Sequence, residues 1–149
     1  MFHVIIPARY ASTRLPGKPL QQIAGKPMVQ HVLETANGLN PSRTHVGIGH
    51  GADQLREALA EFKVSFALQE EQKGTGHAVA QAQPHLGSGI VLVLYGDVPL
   101  IRRDTLANLL AQVDEQHMGL LTVTLDDPSG YGRIVRDSDG HAVAIVEQK

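Results

Sequence analysis

The sequence predicts an α/β fold with a mostly parallel sheet, helices on both faces and a C-terminal β-hairpin, and three observations carry that prediction. Strand-like apolar runs and helix-like patterns take turns four times between residues 2 and 116, the signature of βαβ units with right-handed crossovers. One of the runs, "IVLVL" at 90–94, is unbroken by any polar residue, as expected of a strand buried on both faces. The last stretch, "RIVRDSDGHAVAIVE", alternates on either side of Asp139-Gly140, a hairpin signal.

The elements follow in order. Strands are predicted at "FHVII" (2–6), "HVGIG" (45–49), "VSFAL" (64–68) and "GIVLVLY" (89–95), because each is short, apolar and bounded by turn-forming residues. Between and after them "PMVQHVLETANGL" (27–39), "ADQLREALAEF" (52–62), "GHAVAQAQPHL" (76–86) and "RDTLANLLAQVDEQ" (103–116) carry apolar residues at three- and four-residue spacing and are predicted as amphipathic helices. After "GLLTVTL" (119–125) the helical pattern ends, and "DDPSGYG" is loop chemistry. No repeat, linker or low-complexity stretch interrupts the chain, so residues 1–149 are expected to form one domain. "IVEQK" closes the chain with no further element, so the fold is expected to be incomplete.

Composition narrows the function classes. With 42% hydrophobic and 19% charged residues the chain reads as soluble and globular, and a net charge of -2 gives no pull towards nucleic acid. No run approaches the ~18 apolar residues of a membrane span, and the opening lacks the basic-then-apolar order of a signal peptide. No cysteine is present, so neither a disulfide framework nor a thiolate metal site exists. A cytoplasmic protein is the expectation. The eight histidines show no H-x-x-x-H spacing, which argues against zinc and leaves His77 as a structural residue.

Against that acidic balance the opening stands out, since residues 1–33 hold four basic residues and no acidic one. "VIIPARYASTRLPGKPL" places Arg9, Ser12, Thr13, Arg14 and Lys18 in the loop after the first strand, at the carboxyl edge where open α/β sheets bind ligands. Hydroxyls, backbone amides and cations there suit a phosphate chain, and a solvated basic loop accounts for the same residues. Neither G-x-G-x-x-G nor G-x-x-x-x-G-K-[ST] occurs, so a phosphate site here would rest on Arg and Lys more than on a glycine nest.

Two further landmarks sit at strand ends. In "VLVLYGDVPLI" Gly96 lets the backbone turn and Asp97 emerges at the same edge as the basic loop; a carboxylate facing phosphates is expected to hold Mg²⁺, or else caps the turn that Pro99 finishes. In "LQEEQKGTGHAVAQA" Gln69 follows a strand while Gly74, Thr75 and Gly76 precede a helix. Glycines allow close approach of a flat ligand and a glutamine amide reads both donor and acceptor on a base edge; Thr75 as a helix cap is compatible with either role.

These residues carry a family resemblance. From about residue 28 onward "HVGIGHGADQLREAL", "LQEEQKGTGHAVAQA", "LYGDVPLI", "GLLTVTLDDPSGYGRIVRDSDG" and "AIVEQK" resemble the uridylyltransferase domain of the bifunctional N-acetylglucosamine-1-phosphate uridylyltransferase / glucosamine-1-phosphate acetyltransferases. The first 27 residues, with "IIPARYASTRLPGKPL" and "GKPM", are similar instead to the start of 3-deoxy-manno-octulosonate cytidylyltransferases, where the uridylyltransferases carry a glycine-rich L-A-A-G-x-G-T-R-M loop. A natural sequence with both features and a chimera of two parents both fit this pattern.

The resemblance implies a Rossmann-like nucleotide-diphospho-sugar transferase fold and Mg²⁺-dependent transfer of UMP from UTP to N-acetylglucosamine-1-phosphate. CTP with an octulosonate acceptor is the alternative that the opening favours, and an inactive nucleotide-binding fragment is a third. Carried over by residue, it implies that Ala8, Arg9, Ser12, Thr13, Arg14 and Lys18 cradle the triphosphate, with Arg14, Lys18 and Asp97 catalytic and Asp97 the metal ligand. Gln69, Gly74 and Thr75 stand where the family reads the base, Tyr95 and Gly96 where it lines the nucleoside-sugar pocket, and Gly132 and Glu147 where it contacts the amino sugar. The family's second metal ligand, an Asn, has no counterpart through Lys149. Partners are thereby expected to be a nucleoside triphosphate and a sugar phosphate or sugar acid, with no nucleic acid and no membrane, and a second copy could pair along an open strand edge.

Overall fold

The computed structural model describes residues 1–8, 17–49, 53–69 and 75–147. They fall into two compact units, Met1–His117 and Met118–Lys149.

The first unit is built on a four-stranded parallel sheet of β1 (Phe2–Pro7), β4 (Arg43–Ile48), β5 (Ser65–Leu68) and β6 (Ile90–Val93) in the order β5-β4-β1-β6. The register pairs Ile6 with Val46 and Val4 with Leu92. Because side chains alternate across a strand, Val4, Ile6, Val46, Ile48, Leu92 and Leu94 share one face, where they pack on α1 (Met28–Asn37), α2 (Asp53–Ala58) and Leu106 of α4 (Arg103–Leu110). Val29, Val32, Leu33 and Ala36 supply the stripe of α1 that meets them. Ile5 and Ala67 point to the opposite face, against Ala82 and Val79 of α3 (Thr75–Ala82). The parallel sheet with helices on both faces is thus as predicted.

Strand order decides where a ligand can sit. From β1 the chain steps outward to β4 and β5 and then crosses back to lay β6 on the other side of β1. The strand order reverses between β1 and β6, and the crevice between their carboxyl ends is the topological switch point.

Several element boundaries differ from the sequence reading, each for a local reason. The helix expected over 76–86 divides into α3 and a 3₁₀ turn, Gln83–His85, because Pro84 has no N–H to continue the ladder. The helix expected over 103–116 ends at Leu110; beyond it the Asp114 carboxylate takes the amides of Gln116 and His117, closing a turn instead. The segment expected over 52–62 is helical only through Ala58. One hairpin was not anticipated: β2 (Gln22–Ile23) and β3 (Lys26–Pro27) pair antiparallel through Ala24 and Gly25, both at positive φ (49° and 79°).

The second unit holds the predicted hairpin, β7 (Arg133–Arg136) and β8 (Ala142–Val146), with Ile134 opposite Ile145 and an irregularity at Val135/Arg136. Asp137 organises its turn, accepting from the amides of Asp139 and His141, and Gly140 takes the φ of +86° the turn requires. Among the described residues no helix is long and apolar enough to cross a membrane.

Candidate active site at the switch point

The site is assembled from the two strand ends that flank the crevice. On one side β1 continues into Ala8, whose amide donates to the Gly47 carbonyl at 2.8 Å and whose side chain is buried. The chain re-enters at Gly17 in the left-handed region (φ 70°), which opens a 3₁₀ turn, Lys18–Leu20. Pro19 is buried in that turn, and the amides of Leu20 and Gln21 close it on the carbonyls of Gly17 and Lys18. Lys18 is anchored at its backbone while its ammonium reaches outward.

On the other side the ladder runs one residue past β6, where the Leu94 amide donates to Ile5 at 2.9 Å. Tyr95 to Val98 then form a turn, the Val98 amide donating to the Tyr95 carbonyl. Gly96 lies buried against the end of β1: a Cβ there would stand 3.4 Å from both the Ala8 Cβ and the Pro7 carbonyl oxygen. That approach fixes the backbone from which Asp97 projects. Tyr95 is half exposed at 54%.

The two sides meet through one contact. Lys18 Nζ donates to Asp97 Oδ2 at 2.6 Å, with both side chains about 40% exposed. The sequence assigned Lys18 to phosphate and Asp97 to metal separately; that the two pair was not read from it. Nothing in a lysine and an aspartate 79 residues apart announces contact without the strand order.

Gln69 stands at the end of β5, its amide donating to the Ile48 carbonyl at 2.7 Å and its side chain buried. Its carboxamide nitrogen lies 2.9 Å from His77 Nδ1 on α3, and His77 Nε2 lies 3.2 Å from the Gln81 carboxamide. His77 therefore orients Gln69, a link that the sequence reading, which left His77 structural, did not draw. Arg9, Ser12, Thr13, Arg14 and Gly74, and the side chain of Thr75, lie outside the described residues.

In the second unit the two residues implied for sugar contact are neighbours. A Cβ on Gly132 would stand 3.3 Å from either Glu147 carboxylate oxygen, so the carboxylate closes directly over the glycine. Arg133 beside them donates to the carbonyls of Pro128, at 2.7 Å, and Tyr131.

With this geometry in place the relatives can be compared. The sequence pattern of the cytidylyltransferase family matches residues 3–137. The chain belongs to the cytidylyltransferase family. It is 60% identical over 149 residues to the bifunctional protein GlmU of Chromohalobacter salexigens, a match covering 98% of this chain and 33% of that protein. The cytidylyltransferase chain thus spans about a third of the length of this curated relative. Among solved structures it is similar to a CMP:2-keto-3-deoxy-manno-octonic acid synthetase complexed with CTP, at TM-score 0.66 and 32% identity over 74% of this chain and 46% of that one. It shares its fold over 99% of its length with HddC of Yersinia pseudotuberculosis, at TM-score 0.69 and 23% identity, covering 70% of that chain. The Rossmann-like nucleotidyltransferase fold and both resemblances read from the motifs are borne out.

Proposed function

We propose that this chain binds a nucleoside triphosphate at the switch point and belongs to an enzyme that transfers UMP from UTP to N-acetylglucosamine-1-phosphate. The observation that carries the reading is the Lys18–Asp97 contact between the ends of β1 and β6: a cation for phosphate and a carboxylate for metal converge where the fold binds ligands.

In the reaction an oxygen of the sugar phosphate attacks the α-phosphorus of UTP. A new P–O bond forms as the bond to the β-phosphate oxygen breaks, and pyrophosphate leaves with the electron pair. Both reactants are anions, so the work is positioning and charge neutralisation. Lys18, together with Arg14, offsets the charge that grows on the leaving pyrophosphate. Gln69, held by His77, reads the base edge together with Gly74 and Thr75, while Tyr95 and Gly96 line the nucleoside pocket. Gly132 and Glu147 contact the sugar.

Asp97 fits a divalent ion, because it is a hard oxygen donor, partly exposed, and Mg²⁺ is commonly held by one or two carboxylates together with substrate phosphates. Held by Asp97, Mg²⁺ would supply positive charge that offsets the charge of the substrate phosphates.

A CTP-dependent octulosonate cytidylyltransferase is the second reading, favoured by 32% identity to the CTP-bound synthetase. Calorimetry with UTP and CTP, each with and without Mg²⁺, followed by pyrophosphate release on adding N-acetylglucosamine-1-phosphate, tests both. Mg²⁺-dependent UTP binding with release is expected. Preference for CTP overturns the uridylyl assignment, and binding without release reduces the chain to a nucleotide-binding module.

A further inference from the structure

We infer that Lys18 serves as an exchangeable counter-cation for Asp97, held on the carboxylate until a triphosphate draws it away, so that divalent metal and nucleotide enter the site together. The inference rests on the reading of Asp97 as the metal ligand. It adds a role for Lys18 that phosphate binding alone does not contain.

The argument starts from the 2.6 Å contact between Lys18 Nζ and Asp97 Oδ2. A single carboxylate cannot hold an ammonium at hydrogen-bond distance and a divalent cation beside it without strong repulsion between the two cations, which scales with the product of their charges. A divalent ion on Asp97 therefore favours release of Lys18, and metal alone offers the ammonium nothing in exchange. A triphosphate does: it supplies several anionic oxygens to which Lys18 can swing while its backbone stays pinned in the 3₁₀ turn that Gly17 and Pro19 define. The exposure of both side chains, about 40% each, leaves the ammonium room to move, and exposed pairs of this kind are weak enough to open. Lys18 thus couples the two ligands. By linkage, each ligand then favours the other to the same degree.

The test uses the intact chain and reads binding, not turnover. Mn²⁺ affinity is measured by electron paramagnetic resonance without nucleotide, and UTP affinity by calorimetry without metal, for wild type, Lys18→Gln, Lys18→Arg and Asp97→Asn, each confirmed folded by circular dichroism. Lys18→Gln is expected to bind Mn²⁺ about tenfold more tightly, the effect of removing one charge a few ångströms from the ion in a water-exposed site. The same variant is expected to bind UTP more weakly. A damaged fold would weaken both, so the opposite signs are diagnostic. Lys18→Arg keeps the charge and is expected to retain the weak Mn²⁺ binding of wild type. Asp97→Asn is expected to abolish Mn²⁺ binding.

Unchanged or weaker Mn²⁺ binding by Lys18→Gln, with Asp97→Asn still abolishing it, overturns the inference and leaves the metal assignment standing. Mn²⁺ binding that survives Asp97→Asn overturns both.

Discussion

Gly96 and Ala8 meet across the switch point, a Cβ on Gly96 lying 3.4 Å from the Ala8 Cβ with Pro7 and Val29 crowding the same spot. Small residues on both strand ends bring the end of β1 close to the Asp97 turn. An added methyl sits at the edge of ordinary contact, so Gly96→Ala should cost at most about 1 kcal/mol, whereas Gly96→Val overpacks the site and should cost about 1–3 kcal/mol. Urea denaturation measures both, and UTP calorimetry should show that Val also weakens binding by shifting Asp97. Equal stability of the two variants would sink the packing account.

Asp97→Asn separates chemistry from fold. The side chain is partly exposed and its ion pair with Lys18 is of the surface kind, worth about 0–1 kcal/mol, so the melting temperature should hardly move. If Asp97 holds the metal, loss of its carboxylate should cut any transfer activity by about 10²–10³, the range seen when one transition-state charge contact is removed. Unchanged turnover at saturating Mg²⁺ would falsify the metal role.

How far the sequence reaches is clear from individual elements. The strands at "FHVII" and "IVLVL" were legible because short apolar runs bounded by turn residues favour strands, but the burial of "IVLVL" on two faces was not borne out: β6 is the edge strand of the sheet, and Val91 and Val93 are exposed. The place of Asp97 at the carboxyl end of that strand was legible because only Tyr95 and Gly96 separate it from the run. The β2–β3 hairpin was not, because its turn uses Ala24-Gly25 instead of Asn-Gly, and alanine carries no signal for positive φ. Helix ends were misjudged at Leu110, where the deciding contacts are the side-chain hydrogen bonds of Asp114. The pairing of Lys18 with Asp97, like that of Gln69 with His77, depends on which strands become neighbours, and periodicity does not encode strand order.

Acid should loosen the first unit through His45. The ring is buried beneath α3 and its 3₁₀ extension, stacked with His85 at 6.4 Å between centroids. Burial, then the nearby His85, His3 and Arg43, lowers its pKa from the ordinary value of 6.5. The unfolded chain therefore takes up a proton that the folded one resists, and stability falls as pH drops below about 6.5. Urea midpoints should be flat above about pH 7.5 and decline between pH 6.5 and 5.5, above the range where carboxylates titrate. His45→Gln should flatten that decline. A wild-type profile level down to pH 5.5 would count against it.

Gly132→Ala tests the proposed acceptor role of Gly132 and Glu147. The new methyl would come within 3.3 Å of both Glu147 carboxylate oxygens, tighter than most such contacts, so the carboxylate must shift slightly, and it is free to yield because Glu147 is exposed. The hairpin ladder between β7 and β8 is set by backbone pairs from Arg133–Val146 to Arg136–Ala142, so its stability should change little. If Gly132 and Glu147 receive the sugar phosphate, the displaced carboxylate should raise KM for it by about tenfold, the equivalent of one hydrogen bond to a charged group, while UTP affinity stays at the wild-type value. Glu147→Gln should raise the same KM without the steric change. A variant pair that altered UTP binding and left the sugar-phosphate KM alone would remove Gly132 and Glu147 from the acceptor site.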